Sequence, residues 1–226
     1  MRRHAVSSPA ESHSTLLGSR SRGTFHRGRS LPATFYNRDT EIVARAMLGT
    51  VLECETQDGI ASGIIVETEA YLGEHDLACH AAAGRTARTE SLYGPPGISY
   101  IYFIYGMYWC FNAVTREEGL PSAVLVRALE PLDGISLMHR RRPRVKKSVE
   151  LTNGPGKLCT ALGITGSMSG KSLQRKPIII REGEPVTDSA IETTTRIGIT
   201  RSADWPLRWF VRGNAFVSKA KPSSGS

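Results

Sequence analysis

The sequence predicts a mixed α/β (α+β) fold: a single compact domain with a curved, mainly antiparallel β-sheet, short surrounding helices and a protruding β-hairpin. Strand-like apolar runs outnumber helical patterns, and the two do not alternate in a βαβ series. The chain has 226 residues, of which 40% are hydrophobic and 22% charged. This length and composition are typical of one globular domain with a substantial core.

The predicted elements follow in chain order. A helix is predicted over NRDTEIVARAMLGT, where Asp39 or Thr40 can cap the start, Gly49 ends it, and the apolar residues Ile42, Val43, Ala46 and Met47 recur at helical spacing. Two strands, TVLECET and ASGIIVETEAY, are separated by a turn at Gln57-Asp58-Gly59. Further strands are predicted at SAVLVRALEPL, PIIIREGE and PLRWFVRG, and short helices at GISLMHRRR and GPGKLCTALGI.

The two ends of the chain differ in composition from the middle. Residues 1–32 hold six Arg, one acid and many Ser and Gly, which predicts a disordered basic tail. The same Arg- and Ser-rich composition also resembles an organellar transit peptide, although no amphipathic helix is evident. Residues 219–226 form a second, shorter flexible tail. The folded domain is therefore expected over residues 33–218.

Charge and cysteine usage narrow the class of protein. The net charge of +8 and pI near 9.6 favour a polyanionic partner, nucleic acid first. No run of eighteen apolar residues occurs, so no membrane span is expected. The four cysteines contain no C-x-x-C pair, which disfavours a structural zinc site. Cys110 and Cys159 read as small core residues of a protein in a reducing compartment.

The strand IIVETEAY carries the first candidate chemistry. Strict alternation places Ile65, Glu67, Glu69 and Tyr71 on one face, and burying two carboxylates there is costly without a purpose. An edge strand with solvated or Arg-paired acids explains the pattern equally well. With Glu74 and Asp76 these acids could also hold Mg²⁺, but residues 91–116 supply no further acid, which weakens that interpretation.

The loop after this strand contributes His80, Arg85 and Arg88. A single His is more often structural than catalytic. The Arg pair lies in GRTART, a loop rich in small residues that could bind phosphates through guanidinium and backbone N–H groups.

Nearly half of the aromatic residues, seven of sixteen, lie in YIYFIYGMYWCFN. Gly106 interrupts the run and predicts a hairpin tip. Tyr105 and Met107 would then lie at an exposed end, as an apolar wedge inserted between DNA base steps requires. Phe103, Tyr108, Trp109 and Phe111 are assigned to the core and its support.

The segment RRRPRVKK holds six cations between Arg140 and Lys147, and NGPGKLC with Lys157 follows it. A solvated loop and a phosphate-contacting surface explain this segment equally well.

Taken together, VARAMLG, GIIVETEAYLG, YIYFIYGMYWCFN, VLVRALEPLDG, NGPGKLCTALGI and PLRWFVRGN resemble the alkyladenine (3-methyladenine) DNA glycosylase family, from about Tyr36 to Val217. The resemblance implies a single mixed α/β domain with a hairpin that enters the minor groove. It also implies flipping and excision of alkylated or deaminated purines, such as 3-methyladenine, hypoxanthine and ethenoadenine, to leave an abasic site.

The resemblance assigns roles residue by residue. It makes Glu69 the general base that activates water and Arg127 an active-site residue near the phosphate of the target nucleotide. It places Tyr71, His80 and Tyr102 around the flipped base, Asn112 against the 2-amino group of guanine, and Tyr105 in the gap left in the duplex.

No cofactor and no metal are implied, and the expected partner of a monomer is double-stranded DNA with damaged purines. No Lys occupies residues 64–127, so a Schiff-base lyase step has no evident nucleophile and a monofunctional hydrolase is expected. The alternatives are a Mg²⁺-dependent nuclease using Glu67, Glu69 and Asp76, and a non-catalytic binder of distorted DNA. The compartment is expected to be the cytoplasm or nucleoid of a bacterium, or the nucleus or an organelle of a eukaryote.

Overall fold

The computed structural model describes residues 28–219. This part of the chain has four α-helices and nine strands joined in one sheet, with short 3₁₀ turns between them. The helices are α1 (Ala33–Tyr36), α2 (Thr40–Ala46), α3 (Ile135–Arg141) and α4 (Pro155–Leu162). The strands are β1 (Val51–Thr56), β2 (Gly59–Tyr71), β3 (Ser99–Ile104), β4 (Tyr108–Thr115), β5 (Ser122–Asp133), β6 (Gln174–Arg175), β7 (Ile178–Arg181), β8 (Ile191–Thr194) and β9 (Arg208–Val211).

The sheet runs β3-β4-β5-β2-β1-β7-β6, and every pairing in it is antiparallel. The long strand β2 is its centre. One edge of β2 pairs with β5 along most of its length, whereas the other edge pairs first with β1 and then, at Glu67–Glu69, with β9. Strand β8 extends this branch by pairing with β9. The predicted α+β class and the mainly antiparallel sheet are confirmed.

Two adjacent irregularities in the β2–β5 ladder decide which side chains reach the site. The register passes from Ile65↔Leu129 to Glu67↔Ala128, so Val66 is an extra residue on β2, and it then skips Arg127 on β5. A bulge of this kind reverses the alternation of faces. Ile65 therefore packs in the core, opposite in direction to Glu67. The prediction that Ile65 shares a face with Glu67 and Glu69 was wrong, because strict alternation does not anticipate a bulge.

The aromatic run forms two paired strands, β3 and β4, joined by a turn over residues 105–107. Tyr105 and Gly106 both have positive φ, at 52° and 66°, and Met107 N–H donates to the Ile104 carbonyl. Positive φ at two successive positions is the geometry of a tight turn that matches strand twist, and glycine adopts it without cost. The predicted turn position at Gly106 is confirmed.

The core lies between one face of the sheet and helices α2, α3 and α4. Its fully buried side chains include Phe111 on β4, Val126 on β5 and Leu158 on α4. A second cluster, on the other face, contains Tyr100 of β3 together with Cys79 and Leu92 of the 73–97 loop. All four cysteines are buried and free, as predicted for Cys110 and Cys159.

Helix α2 lies where the sequence predicts a helix, although the Asp39 side chain makes no capping hydrogen bond. Helix α2 begins after Asp39 and ends before Gly49, whose φ of 85° suits the stop. Thr68 Oγ1 donates to the Ala44 carbonyl and ties the core face of β2 to this helix. Ile42 is exposed in spite of its place in the apolar pattern.

The chain ends are only partly described. Most of the predicted N-terminal tail, residues 1–27, and residues 220–226 lie outside the described residues. Residues 28–32 are described, and here Ser30 bridges to Arg181 and Leu31 is buried in the core. Within residues 28–219, no helix is long and apolar enough to cross a membrane.

Candidate active site

Glu69 is the centre of the candidate site. It lies on β2, on the face opposite the main core, and its side chain is fully buried. Oε1 accepts hydrogen bonds from Ile197 N–H at 2.8 Å and lies 3.1 Å from Nη1 of Arg127. Oε2 accepts from the Tyr71 hydroxyl at 3.0 Å. Glu69 and Arg127 were predicted as separate site residues, and the structure brings them into direct contact across 58 residues of sequence.

Glu67 is the buried anchor beneath this pair. Its Oε1 accepts from Nε of Arg127 at 3.0 Å and from Nε of Arg208 at 2.7 Å. Ser218 donates its N–H to Oε2 at 2.6 Å and its hydroxyl to Oε1 at 2.7 Å. Strands β2, β5 and β9 and the backbone at Ser218 thus converge on one carboxylate, which fixes the position of the Arg127 guanidinium.

The charges of the site respond to burial and to each other. Burial raises the pKa of Glu69, and the charge of Arg127 and the hydrogen bonds from Ile197 and Tyr71 oppose this shift without cancelling it. Burial would lower the pKa of Arg127, but Glu69 and Glu67 raise it. Burial, with the neighbouring Glu69 charge, raises the pKa of Tyr71 well above 10, so its hydroxyl keeps the proton it donates.

An aromatic cluster lies beside Glu69. The His80 and Tyr102 rings meet edge to face at 4.5 Å, and His80 Nδ1 is 2.8 Å from the Tyr100 hydroxyl. Tyr71 packs against the same cluster. Burial, followed by the charge of Arg88, lowers the pKa of His80 to about 4, so the imidazole is neutral at physiological pH. Tyr71, His80 and Tyr102, predicted together, are brought together.

Asn112 lies on β4 directly across from Tyr100, and its Nδ2 donates to the Tyr100 carbonyl at 3.0 Å. It is buried, with its neighbour across the other ladder being Leu125 of β5. The β3–β4 register puts Tyr100, Tyr102 and Asn112 on the face that carries Glu69, while Phe111 faces the main core.

The turn between β3 and β4 exposes apolar surface. Tyr105 is 79% exposed and Met107 62% exposed, which confirms the predicted exposure. Phe103 and Tyr108 are also exposed, at 45% and 41%. The assignment of Phe103 and Tyr108 to the core was wrong. These residues lie at the turn end of β3 and β4, beyond the main core on one face and the 73–97 loop on the other. Trp109 and Phe111, lower in the strands, do pack in the core.

The three predicted cationic DNA contacts have different surroundings. Arg85 forms a bidentate pair with Glu90 and lies over the Tyr93 ring. Arg88 lies 5.8 Å from the Tyr102 ring centroid, at the aromatic cluster. Lys157 Nζ donates to Asn153 Oδ1 at the start of α4, where Gly156 approaches Tyr108 closely. Arg88 and Lys157 thus lie near the site and the turn respectively.

The carboxylates that were candidate metal ligands form ion pairs with arginines instead. Glu67 and Glu69 contact Arg127, and Asp76 forms a bidentate pair with Arg196. Within residues 28–219, no group of three His, Cys, Asp or Glu side chains is arranged to hold a metal ion. This geometry disfavours the nuclease alternative.

Several site residues gave no usable signal in the sequence. Arg196, Ile197 and Ser218 lie more than 120 residues after β2 in segments without a recognised motif, and only the tertiary structure brings them to Asp76, Glu69 and Glu67. Arg208 lies in the quoted motif PLRWFVRGN, but its contact with Glu67 was not predicted. A concavity of about 350 Å³ near the start of α2, lined by Asp39, Ile42, His75 and Arg116 among others, includes none of the predicted site residues.

Comparison with known proteins shows the family of this chain. The family model for Methylpurine-DNA glycosylase (MPG) matches residues 34–215. A Myxococcus xanthus protein named "Putative 3-methyladenine DNA glycosylase" is 46% identical over 195 residues, which cover 85% of this chain and 95% of the relative. Proteins of the same name from Desulfitobacterium hafniense and Carboxydothermus hydrogenoformans are 45% and 46% identical over 203 and 190 residues, covering 84% of this chain and 98% of each relative.

These matches over most of the chain, on an α+β domain with a buried carboxylate–guanidinium pair, define a DNA glycosylase, a hydrolase of N-glycosyl bonds. The chain belongs to the methylpurine-DNA glycosylase family. DNA is accordingly its substrate, and DNA repair is its process.

Proposed function

We propose that the protein is a monofunctional, monomeric glycosylase that flips alkylated or deaminated purines out of duplex DNA and hydrolyses the N-glycosidic bond with a water activated by Glu69. 3-Methyladenine, hypoxanthine and ethenoadenine are the proposed lesions. The observation that carries the proposal is the buried Glu69 carboxylate, held between Arg127 and Ile197 beside the cluster of Tyr71, His80 and Tyr102.

Glu69 has the contacts that this chemistry needs. Among the described residues, Oε2 accepts one hydrogen bond, from Tyr71, which leaves a lone pair for a water molecule. In the reaction, the water oxygen bonds to the sugar C1′ while the C1′–N bond breaks and its electron pair leaves with the base. The water proton passes to Glu69. The carboxylate also stabilises the positive charge that develops on the sugar.

Arg127 and Glu67 support this role without taking part in proton transfer. The Arg127 charge opposes protonation of Glu69, so the carboxylate is held as a base despite its burial. Glu67 holds the guanidinium from the other side at 3.0 Å. A group fixed in this way needs little reorganisation during the reaction, which is how preorganised charges lower a barrier.

The aromatic cluster is proposed to bind the flipped base. One face of the Tyr71 ring is covered by the Arg196 guanidinium at 4.8 Å, so the base would stack on the opposite face. His80 and Tyr102 would complete the pocket. A neutral His80 can accept or donate one hydrogen bond without repelling a cationic alkylpurine. Stacking of a cationic base on aromatic rings contributes roughly 0.5–2 kcal/mol.

Asn112 and the exposed turn are proposed to select and extract the base. Asn112 lies on the same sheet face as Tyr102 and would collide with the 2-amino group of guanine. Tyr105 and Met107 would enter the space that the flipped base leaves, since an exposed apolar tip can replace the lost stacking. Arg85, Arg88 and Lys157 would contact phosphates.

One gel series tests the proposal. Labelled duplexes with hypoxanthine, ethenoadenine or normal adenine are incubated with and without EDTA and then treated with alkali. We expect strand cleavage only at the lesions, only after alkali, and unaffected by EDTA. Cleavage without alkali or its loss in EDTA would support the nuclease instead.

Glu69→Gln separates the enzyme from a non-catalytic binder of distorted DNA. The variant should release no base while still binding damaged duplex. Glu192→Gln is the matched control, because Glu192 forms an exposed pair with Arg212 at 2.9 Å. Base release by Glu69→Gln at the rate of this control would refute the assigned role.

A further inference from the structure

The ion pair between Asp76 and Arg196 is fully buried on the site face, and the proposed reaction does not use it. Both side chains have no exposed surface. Arg196 donates from both terminal nitrogens to both carboxylate oxygens of Asp76, with an Nη2–Oδ1 distance of 2.8 Å. A pair this deeply buried costs desolvation energy on both sides and is often no more stabilising than apolar residues in the same place.

The remaining contacts of the pair hold three separate segments of the site. Arg196 Nη1 also donates to the Ala70 carbonyl on β2, between Glu69 and Tyr71, and Nη2 donates to the Ser202 carbonyl. Asp76 accepts from the backbone N–H groups of Leu72 and Ala78. The pair thus joins β2 to the start of the 73–97 loop and to the 196–202 segment.

Arg196 is also close to the proposed catalytic carboxylate and to the base-binding ring. Ile197, the next residue after Arg196, donates its N–H to Glu69 Oε1 at 2.8 Å. The Arg196 guanidinium itself lies 4.8 Å from the centroid of the Tyr71 ring. The chain at 196–197 has no helix or strand of its own to fix it, since β8 ends at Thr194.

We infer that Asp76 and Arg196 are positioning residues that hold the Ile197 N–H against Glu69 and the Tyr71 ring against the flipped base. This inference rests on the proposed role of Glu69. Arg196 is anchored by Asp76, and its backbone then presents the next N–H to the catalytic carboxylate. A hydrogen bond to the charged form favours ionisation of a carboxyl group, so the pair keeps Glu69 available as a base at lower pH.

Several other groups also face Glu69 and set its charge. The hydroxyl of Tyr71 and the guanidinium of Arg127 stabilise the carboxylate, and Glu67 opposes it. The remaining charged or titratable neighbours are Tyr102 on β3, Cys110 on β4 and Arg196 itself. Arg196→Lys keeps the positive charge at residue 196, so the contact of the Ile197 N–H with Glu69 is the influence that this variant is designed to change.

The test measures single-turnover base release from a hypoxanthine or ethenoadenine duplex between pH 5 and 9 with Arg196→Lys and Asp76→Asn. Arg196→Lys keeps the positive charge but loses the bidentate geometry. Asp76→Asn keeps the shape but loses the anchor. We expect the acidic limb of the pH–rate profile to move upward by about half a pH unit or more. The rate on the acidic limb should fall by roughly threefold for a shift of half a unit and should recover at alkaline pH.

Arg181→Lys is the matched control, because Arg181 also forms a bidentate pair, with Glu53, at a distance from the site on β7 and β1. The acidic limb of the pH–rate profile of Arg181→Lys should coincide with that of the unaltered protein. An unmoved limb in Arg196→Lys, or an equal shift in Arg181→Lys, overturns the inference. Arg196→Lys is the decisive variant if Asp76→Asn fails to fold. A variant of residue 196 that is equally slow at every pH also overturns it, since simple structural damage gives that result.

The outcome is separable from the proposed function. If Glu69→Gln releases bases, Glu69 is not the base and the proposed function fails. If Glu69→Gln is inactive while Arg196→Lys keeps the original acidic limb, only the positioning role of the pair fails.

Discussion

The guanidinium of Arg127 lies between two buried carboxylates, with Nε 3.0 Å from Glu67 Oε1 and Nη1 3.1 Å from Glu69 Oε1. The two carboxylates have unequal partners. Glu67 also contacts Arg208 and Ser218, whereas Glu69 contacts Tyr71 and Ile197 beside the aromatic cluster. Two glutamates two residues apart on one strand are therefore divided between structure and chemistry.

This division predicts different costs for the two amide variants. Glu67→Gln leaves two buried guanidinium groups short of charge compensation and should lower the free energy of unfolding by about 3 kcal/mol. Glu69→Gln should lower the free energy of unfolding by less than about 1 kcal/mol. Burial already disfavours the charge of Glu69, and Arg127 retains its ion pair with Glu67 in this variant. Urea unfolding measures both values. Equal losses would contradict the assignment of Glu67 as the structural member.

The exposed turn predicts a duplex-specific effect. Tyr105→Ala should weaken binding to a lesion-containing duplex by about tenfold and binding to the same lesion in a single strand much less, because only a duplex has a gap to fill. Fluorescence anisotropy with both DNAs measures the ratio. Leu77→Ala is the control, as Leu77 is an apolar side chain of similar exposure outside the turn. Equal losses on both DNAs would refute a wedge.

Lys157 predicts a change in salt dependence. Lys157→Ala removes a cation near the turn and should reduce the slope of log K against log salt concentration by about 0.9, if it contacts one phosphate. Lys176→Ala is the control, because Lys176 pairs with Glu55 on the β1–β7 side of the sheet. An unchanged slope for Lys157→Ala, or a matching change for Lys176→Ala, would argue against this contact.

His80 predicts a pH-dependent stability difference. Its folded pKa of about 4 lies below the unfolded value of 6.5, so the unfolded chain binds the extra proton between these values. The stabilisation by neutral His80 is complete above pH 6.5 and is lost as the pH falls toward 4. Because the ring is partly exposed, solvent screening reduces the effect, and we expect a loss of about 1 kcal/mol. The His80→Gln variant should lack this loss of stability. Parallel profiles of unfolding free energy against pH for the variant and the unaltered protein, from pH 7 to pH 4, would contradict the lowered pKa of His80.

Much of the fold could be predicted because local patterns carry it. The helical spacing of apolar residues before Gly49 indicated helix α2, and Gly106 indicated the turn between β3 and β4. These features depend on a few neighbouring residues and on backbone dihedrals that glycine alone adopts cheaply. The exposure of Phe103 and Tyr108 was missed, since aromatic content does not say which strand ends leave the core.

The candidate site divides in the same way. Glu69, Arg127, Tyr71, His80, Tyr102 and Asn112 could be named from motifs, and the structure brings them together. The bulge at Val66, which turns Ile65 away from Glu67, could not be predicted from motifs, because it depends on the register of β2 against β5.

By itself, the sequence determined the antiparallel α+β domain, the family and the chemistry-bearing side chains, because residue types and short spacings encode them. Tertiary structure alone decided which partners those side chains have. Arg196 and Ile197 reach Asp76 and Glu69 across 120 and 128 residues, and Ser218 reaches Glu67 across 151. Contacts over such separations form only when the complete sheet has assembled, so no local sequence pattern can predict them.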